Sequence, residues 1–98
     1  MSDELTTKQL NKVSSILKAL SGTSKLEILY VLSSGEKSVN AISEESGLSQ
    51  SLLSHALKDL KDSHLVSYSQ VGRQVFYRLD DDHVLTIINA IFEHSKEY

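Results

Sequence analysis

Four side chains near the end of this 98-residue chain have the chemistry to bind a divalent cation. Asp81 and His83 form a D-x-H pattern, and His94 and Glu97 form an H-x-x-E pattern. Imidazole nitrogens and carboxylate oxygens are zinc ligands. Both patterns are loose, however, and acidic residues at the head of a helix with a histidine at its tail also compensate the helix dipole. The spacing alone leaves metal binding and helix stabilisation as equal alternatives.

The four residues belong to one predicted helix within residues 80–98. Apolar residues recur there at helical spacing, at Val84, Ile87, Ile88, Ile91 and Phe92. On such a helix His83 and His94 stand about 16 Å apart, at about 1.5 Å per residue, so one helix cannot close one site. Only a second copy running antiparallel brings the first pair of ligands against the partner's second pair. The separation of the two ligand pairs along the helix therefore predicts a symmetric homodimer with two equivalent sites.

Composition and length bound the kind of protein. Ninety-eight residues predict one domain over 1–98, and a domain this small is often more stable as an oligomer. The sequence contains no cysteine, which excludes disulfides and thiolate metal sites. It shows no signal peptide and no long apolar run, so we expect a cytoplasmic protein with no membrane association. The absence of proline favours a largely helical fold.

Charge is distributed unevenly along the chain. The formal net charge is −3, which taken alone argues against a nucleic-acid partner. Residues 50–79 nevertheless hold four basic and two acidic side chains, net +2, whereas residues 80–98 hold five acids and one lysine, net −4. This asymmetry predicts two working surfaces, one for a polyanion and one for a cation.

The first third of the chain predicts two helices. An apolar stripe ending at Leu20 indicates an amphipathic first helix over about residues 6–20. Ser24 and Glu27 resemble a capping box that opens a second helix, which is apolar almost all round and therefore central. The stripe of the first helix needs a partner, and we expect the dimer to form through the first and fifth helices.

Residues 38–62 predict a helix-turn-helix. Ser38 is suited to cap a short third helix, Gly47 to end it in the left-handed conformation, and Ser49 to cap a fourth helix over 50–62. The side chains expected to pack inward from the fourth helix are Leu52, Leu53, Ala56, Leu57 and Leu60.

The outer face of this fourth helix carries mostly short hydrogen-bonding side chains. Its members are Gln50, Ser51, Ser54, His55, Lys58 and Lys61. Polar side chains near a helix N-terminus can read base edges, and lysines can neutralise phosphates. A solvated face is the alternative, but such faces favour better helix formers than serine. The pattern therefore favours double-stranded DNA as a partner.

After residue 65, apolar and polar residues alternate with a period of two, and the helical period ends. Residues 66–70 and 74–79 read as paired strands with Gly72 in the turn, forming a hairpin that we interpret as a wing. Arg73 at its tip and Arg78 on its outer face are candidates for contact with the DNA backbone or minor groove. Surface arginines that only aid solubility are the equal alternative.

Together these motifs resemble the ArsR/SmtB family of winged-helix metal-sensing repressors, over nearly the whole chain. The segment LSQSLLSHALKDLKDSHLV, residues 48–66, is similar to the family's L-S-Q-S-x-x-S-H-x-L-K-x-L signature. The tail pattern is similar to the zinc site on the fifth helix of the SmtB and CzrA group. The resemblance implies a mainly α winged helix-turn-helix homodimer with a small β-hairpin. It also implies that the dimer binds operator DNA and is released when zinc binds at the interface, derepressing metal efflux.

Departures from the family pattern limit which metal ions the site is expected to bind. Thiolate-type members carry cysteine on the third helix, where this chain has residues 38–40 as Ser-Val-Asn, so sensing through soft thiolates is disfavoured. Two imidazoles and two carboxylates suit tetrahedral zinc, with cobalt as a substitute in vitro. Nickel sensors of the family prefer six ligands, and the candidates for additional ones here are Asp80, Asp82 and His64.

Two other functions fit parts of the pattern. A winged helix can serve as a regulator without a metal response or as a protein-interaction module. The Asp and His cluster could also form a hydrolytic zinc centre, but catalytic zinc keeps an open coordination position, and four protein ligands indicate a closed site. We therefore expect no enzyme activity and no organic small-molecule substrate.

The resemblance further implies a route from the metal site to the DNA-binding elements. In that route, His94 connects the metal site to residues 63–65, which lie between the recognition helix and the wing.

Overall fold

The computed structural model describes residues 5–97, which fold into five helices and three strands. The helices are α1 (Thr7–Leu20), α2 (Thr23–Leu32), α3 (Val39–Ser46), α4 (Gln50–Asp62) and α5 (Asp82–Ser95), and the strands are β1 (Lys37–Ser38), β2 (Val66–Val71) and β3 (Gln74–Leu79). The predicted domain 1–98 includes residues 1–4 and 98, which lie outside the described part. Within 5–97, no helix has both the length and the apolarity to cross a membrane.

The strands form one antiparallel sheet in the order β1-β3-β2. The predicted hairpin is confirmed, and Gly72 has a φ of 63° in its two-residue turn, a conformation that favours glycine. Strand β1 was not predicted, because two residues are too few to show an alternating pattern. It pairs Lys37 with Tyr77 and so fastens the start of α3 to the wing.

Helix α2 lies at the centre of the core, as its all-apolar sequence predicts. Ile28 and Leu29 are fully buried, and so are Leu53 of α4 and Ile88 of α5. Each such side chain contributes about 1.5–3 kcal/mol relative to an exposed position. The capping box predicted at Ser24 is wrong, because α2 begins at Thr23 after Gly22, which makes no side-chain cap.

The predicted helix-turn-helix is confirmed in its local details. The Ser38 hydroxyl accepts a hydrogen bond from the Ala41 N–H at 3.1 Å, and the Ser49 hydroxyl accepts one from the Leu52 N–H at 3.2 Å. Gly47 ends α3 with a φ of 71°. The turn thereby exposes the outer face of α4. The inward packing predicted for Leu52 is wrong, since the side chain is 52% exposed.

Helix α5 is shorter than the predicted stretch 80–98. Asp81 is its N-cap, with its carboxylate accepting the N–H groups of His83 and Val84 at 2.9 and 3.2 Å. The helix ends at Ser95. Glu97 follows it in a turn, in which its N–H donates to the His94 carbonyl at 3.0 Å.

Apolar stripes on α1 and α5 remain exposed in the single chain. Leu10, Val13 and Leu17 follow one face of α1, and Leu17 is 57% exposed. Ile87 and Ile91 do the same on α5, with Ile91 at 45%. Residues of both helices border one recess. The two stripes therefore offer apolar surface for association.

Candidate functional site

The head of α5 holds the first pair of predicted metal ligands. An Asp81 carboxylate oxygen lies 3.5 Å from His83 Nδ1, and the His83 side chain is 93% exposed. The hydrogen bond from the Val84 N–H is the main cause that lowers the pKa of the Asp81 carboxyl, and the contacts with His83 lower it further. The Asp81 carboxyl is therefore ionised at neutral pH, as a metal ligand must be.

The tail of α5 holds the second pair. His94 lies in the last turn and Glu97 just beyond the helix, and both are exposed. Asp81 and His94 are thirteen residues apart, about 20 Å at 1.5 Å per residue. Within residues 5–97, no group of three or more His, Asp or Glu side chains is placed to hold a metal ion. The structure brings the two members of the first pair together but keeps the two pairs apart.

A recess of about 440 Å³ adjoins the Asp81–His83 pair. Its walls come from α1, through Lys12 and Ser15, and from residues 62–65, which are the last residue of α4 and the segment that follows it. The Leu65 carbonyl accepts the N–H of Asp80 at 3.0 Å, so this segment is hydrogen-bonded to the residue before the α5 cap. Residues of α1 lie some seventy positions from His83 in sequence, and no local pattern could have revealed this neighbourhood.

The outer face of α4 is polar, exposed and internally ion-paired. Gln50, Ser51, Ser54, His55 and Lys58 are all exposed. Lys58 Nζ lies 2.8 Å from the Asp62 carboxylate, and His55 Nε2 lies 3.8 Å from that of Asp59. The hydrogen bond from Lys58 lowers the pKa of Asp62. These pairs were not predicted from the sequence, although their i, i+4 spacing is the expected signal.

The remaining basic candidates differ in their surroundings. Lys61 turns toward the wing, with its Nζ 5.1 Å from the centre of the Tyr68 ring. Arg73 lies in the hairpin turn and borders a recess of about 250 Å³ at the start of α3. Arg78 lies at the base of the wing, in a recess it shares with Glu36 and with residues 80–82. Arg73 therefore faces a less acidic surface than Arg78 does.

The family model and the relatives that this chain matches in sequence agree with each other. The model for bacterial regulatory proteins of the ArsR family matches residues 22–68. A transcriptional repressor SmtB homolog from Synechocystis is 32% identical over 89 residues, which cover 91% of this chain and 67% of that protein. A cadmium resistance transcriptional regulatory protein CadC homolog from Staphylococcus aureus is 36% identical over 86 residues, covering 87% and 71%. Both relatives are transcriptional regulators, not enzymes.

Comparison with solved structures agrees with the architecture described above. A homodimeric winged helix-turn-helix DNA-binding domain from Mycobacterium bovis superposes with a TM-score of 0.85 at 28% identity. The match covers 99% of this chain and 92% of that one. The predicted fold class, a mainly α winged helix-turn-helix, is confirmed.

Proposed function

This chain belongs to the ArsR family of bacterial regulatory proteins, and we propose that it is a zinc-responsive transcriptional repressor acting in the cytoplasm as a homodimer. The observation that carries the proposal is the position of the Asp81–His83 pair. That pair opens onto a recess whose other wall is the segment following α4. A ligand entering the recess would contact both the metal residues and the end of the DNA-reading helix.

The exposed stripes of α1 and α5 support a dimer interface. Specific interfaces bury about 800 Å² per partner and have apolar centres. In a two-fold arrangement the same surface is used twice. A two-fold axis perpendicular to α5 would make the α5 helices of the two protomers antiparallel. The M. bovis relative is a homodimer. We propose that this chain pairs in the same way, through Leu17 and Ile91 among others.

The donor set fits zinc in this arrangement. Each site would take Asp81 and His83 from one protomer and His94 and Glu97 from the other. The capping hydrogen bonds of Asp81 both end on Oδ1. Ligation through Oδ2 would therefore leave the helix cap intact. These four residues would hold the zinc ion, and the head of one α5 would then be linked to the tail of the other.

Coupling to DNA would run through the recess. An imidazole arriving beside His83 has a second ring nitrogen, which typically donates to a carbonyl or carboxylate. Residues 63–65 border that space. Two added divalent cations should by charge alone strengthen attraction to DNA. Release therefore requires a changed shape or restricted motion of α4, and release is the outcome we propose.

DNA recognition would use α4 and the wing. The two α4 helices of a dimer would enter successive major grooves of an imperfect palindrome. Ser51, Ser54 and His55 would contact bases, and Lys58 would contact phosphate. Arg73 at the wing tip would contact the flanking backbone. Lys61 would contribute less to DNA binding because its ammonium group lies over the Tyr68 ring. Arg78 would also contribute less, because it shares its recess with carboxylates.

Anisotropy of a fluorescent duplex tests the proposal. The duplex is first selected from a random pool by binding to the metal-free protein, and zinc is then titrated into the complex at fixed salt. We expect release at two zinc ions per dimer. Binding that zinc leaves unchanged would indicate a regulator without a zinc response, and parallel titrations with nickel and cadmium would test the choice of metal. If no duplex is selected, the DNA-binding role itself is wrong.

The ion pair on α4 makes a separate prediction. Asp62→Asn should tighten DNA binding about threefold, because it frees Lys58 for phosphate and removes a negative charge from the DNA-facing helix. The measurement is the duplex affinity at several salt concentrations without metal, and the salt dependence should steepen. Glu93→Gln is the matched control, since it breaks a similar pair between Glu93 of α5 and Lys96, the residue after that helix. Equal effects of the two variants would contradict a role for Lys58.

A further inference from the structure

Leu52 is an exposed apolar side chain on an otherwise polar surface. It lies in the first turn of α4 and is 52% exposed. At about 100° per residue it points about 90° away from the middle of the buried face, on the same side as His55. The residues at its N-terminal side, Gln50 and Ser51, are polar and exposed. The helix has a full apolar face without Leu52, so core packing does not account for it.

The location of Leu52 identifies what could cover it. The exposed stripes that we assign to the dimer are on α1 and α5, whereas Leu52 is on α4. In a helix-turn-helix, the N-terminal residues of the second helix are the ones that approach base edges. The apolar group that B-DNA offers in the major groove is the 5-methyl of thymine. A leucine at this position has that methyl group as its natural contact.

We propose that Leu52 packs against the 5-methyl group of a thymine in each operator half-site and so determines the preference for thymine at that position. The inference rests on the proposed function, because it requires α4 to occupy the major groove. It adds an apolar contact that carries sequence specificity to a surface whose other members make polar contacts.

A thymine-to-deoxyuridine scan of the selected duplex tests this contact, since deoxyuridine pairs identically but lacks the methyl group. Each thymine of one half-site is replaced in turn, and the affinities of wild type and Leu52→Ala are compared as a double-mutant cycle. Removing a contacted methyl should weaken wild-type binding about fourfold at one position. The same replacement should change the affinity of Leu52→Ala by less than about 1.5-fold.

Two further variants keep the result interpretable. Leu52→Met retains an apolar side chain and should retain the sensitivity to deoxyuridine, whereas Leu52→Gln, an equally good helix former, should lose it. Circular dichroism checks that both remain folded. The inference is overturned if wild type and Leu52→Ala respond alike at every thymine, or if no thymine responds at all. Failure of the wild type to select any duplex would instead overturn the proposed function, and this contact with it.

Discussion

His83→Ala should abolish release of DNA at zinc concentrations that fully release the wild type. The substitution removes one of four ligands from each of the two proposed sites, and we expect zinc affinity to fall by more than about 100-fold, since even supporting residues around a metal cost 10- to 100-fold. His83 is exposed and lies outside α4. Duplex affinity without metal should therefore change by less than about twofold. Anisotropy with and without zinc measures both quantities.

His55→Ala is the crossed control for that experiment. His55 lies on the exposed face of α4 and is absent from the recess beside α5. We expect this variant to bind the duplex more weakly but to release it at the same zinc concentration as the wild type. Unchanged release by His83→Ala, with an unchanged zinc titration, would show that the head of α5 does not form the sensing site.

Leu17→Glu should convert the dimer to a monomer and weaken operator binding by at least about 100-fold. A carboxylate at the centre of an apolar interface lacks a partner, and its desolvation opposes association. A monomer contacts one half-site and loses the gain from bivalent binding, which reaches 10² to 10⁴. Sedimentation should give the wild type twice the 10.9 kDa chain mass and the variant the single mass.

Val71→Glu is the matched control for the association measurement. It makes the same apolar-to-acid change at a residue of β2 that is 65% exposed and lies outside α1 and α5. This variant should remain a dimer. Both variants change exposed positions, so both should keep the circular dichroism of the wild type. A dimeric Leu17→Glu protein would require a different interface.

Local chemistry made much of the fold predictable. The caps at Ser38 and Ser49 and the left-handed Gly47 act within a few residues, and each appears in the structure as the sequence predicts. The turn at Gly72 is equally local. Strand β1 was missed because pairing with β3, forty residues away, defines it. The capping box at Ser24 failed because a nearby residue, Gly22, took the cap position.

The candidate sites were predictable only in part. Ligand types and the separation along α5 follow from sequence and helix geometry, and they stay predictions for Asp81, His83, His94 and Glu97. The recess that joins the Asp81–His83 pair to residues 62–65 depends on the tertiary structure, because its walls come from α1, from α5 and from the chain around the end of α4. The exposure of Leu52 was missed because an apolar residue at the edge of an amphipathic stripe reads as core.

Mixing two inactive variants tests the shared site most directly. In a heterodimer of His83→Ala and His94→Ala, one proposed site lacks both histidines, while the other keeps all four ligands. Equilibrium dialysis should find no tight zinc in either variant alone. After a one-to-one mixture has exchanged subunits at random, it should find about one zinc per four chains, because half of the dimers are mixed and each holds one intact site. A mixture that binds no more zinc than its separate components would contradict a site built from two copies of α5.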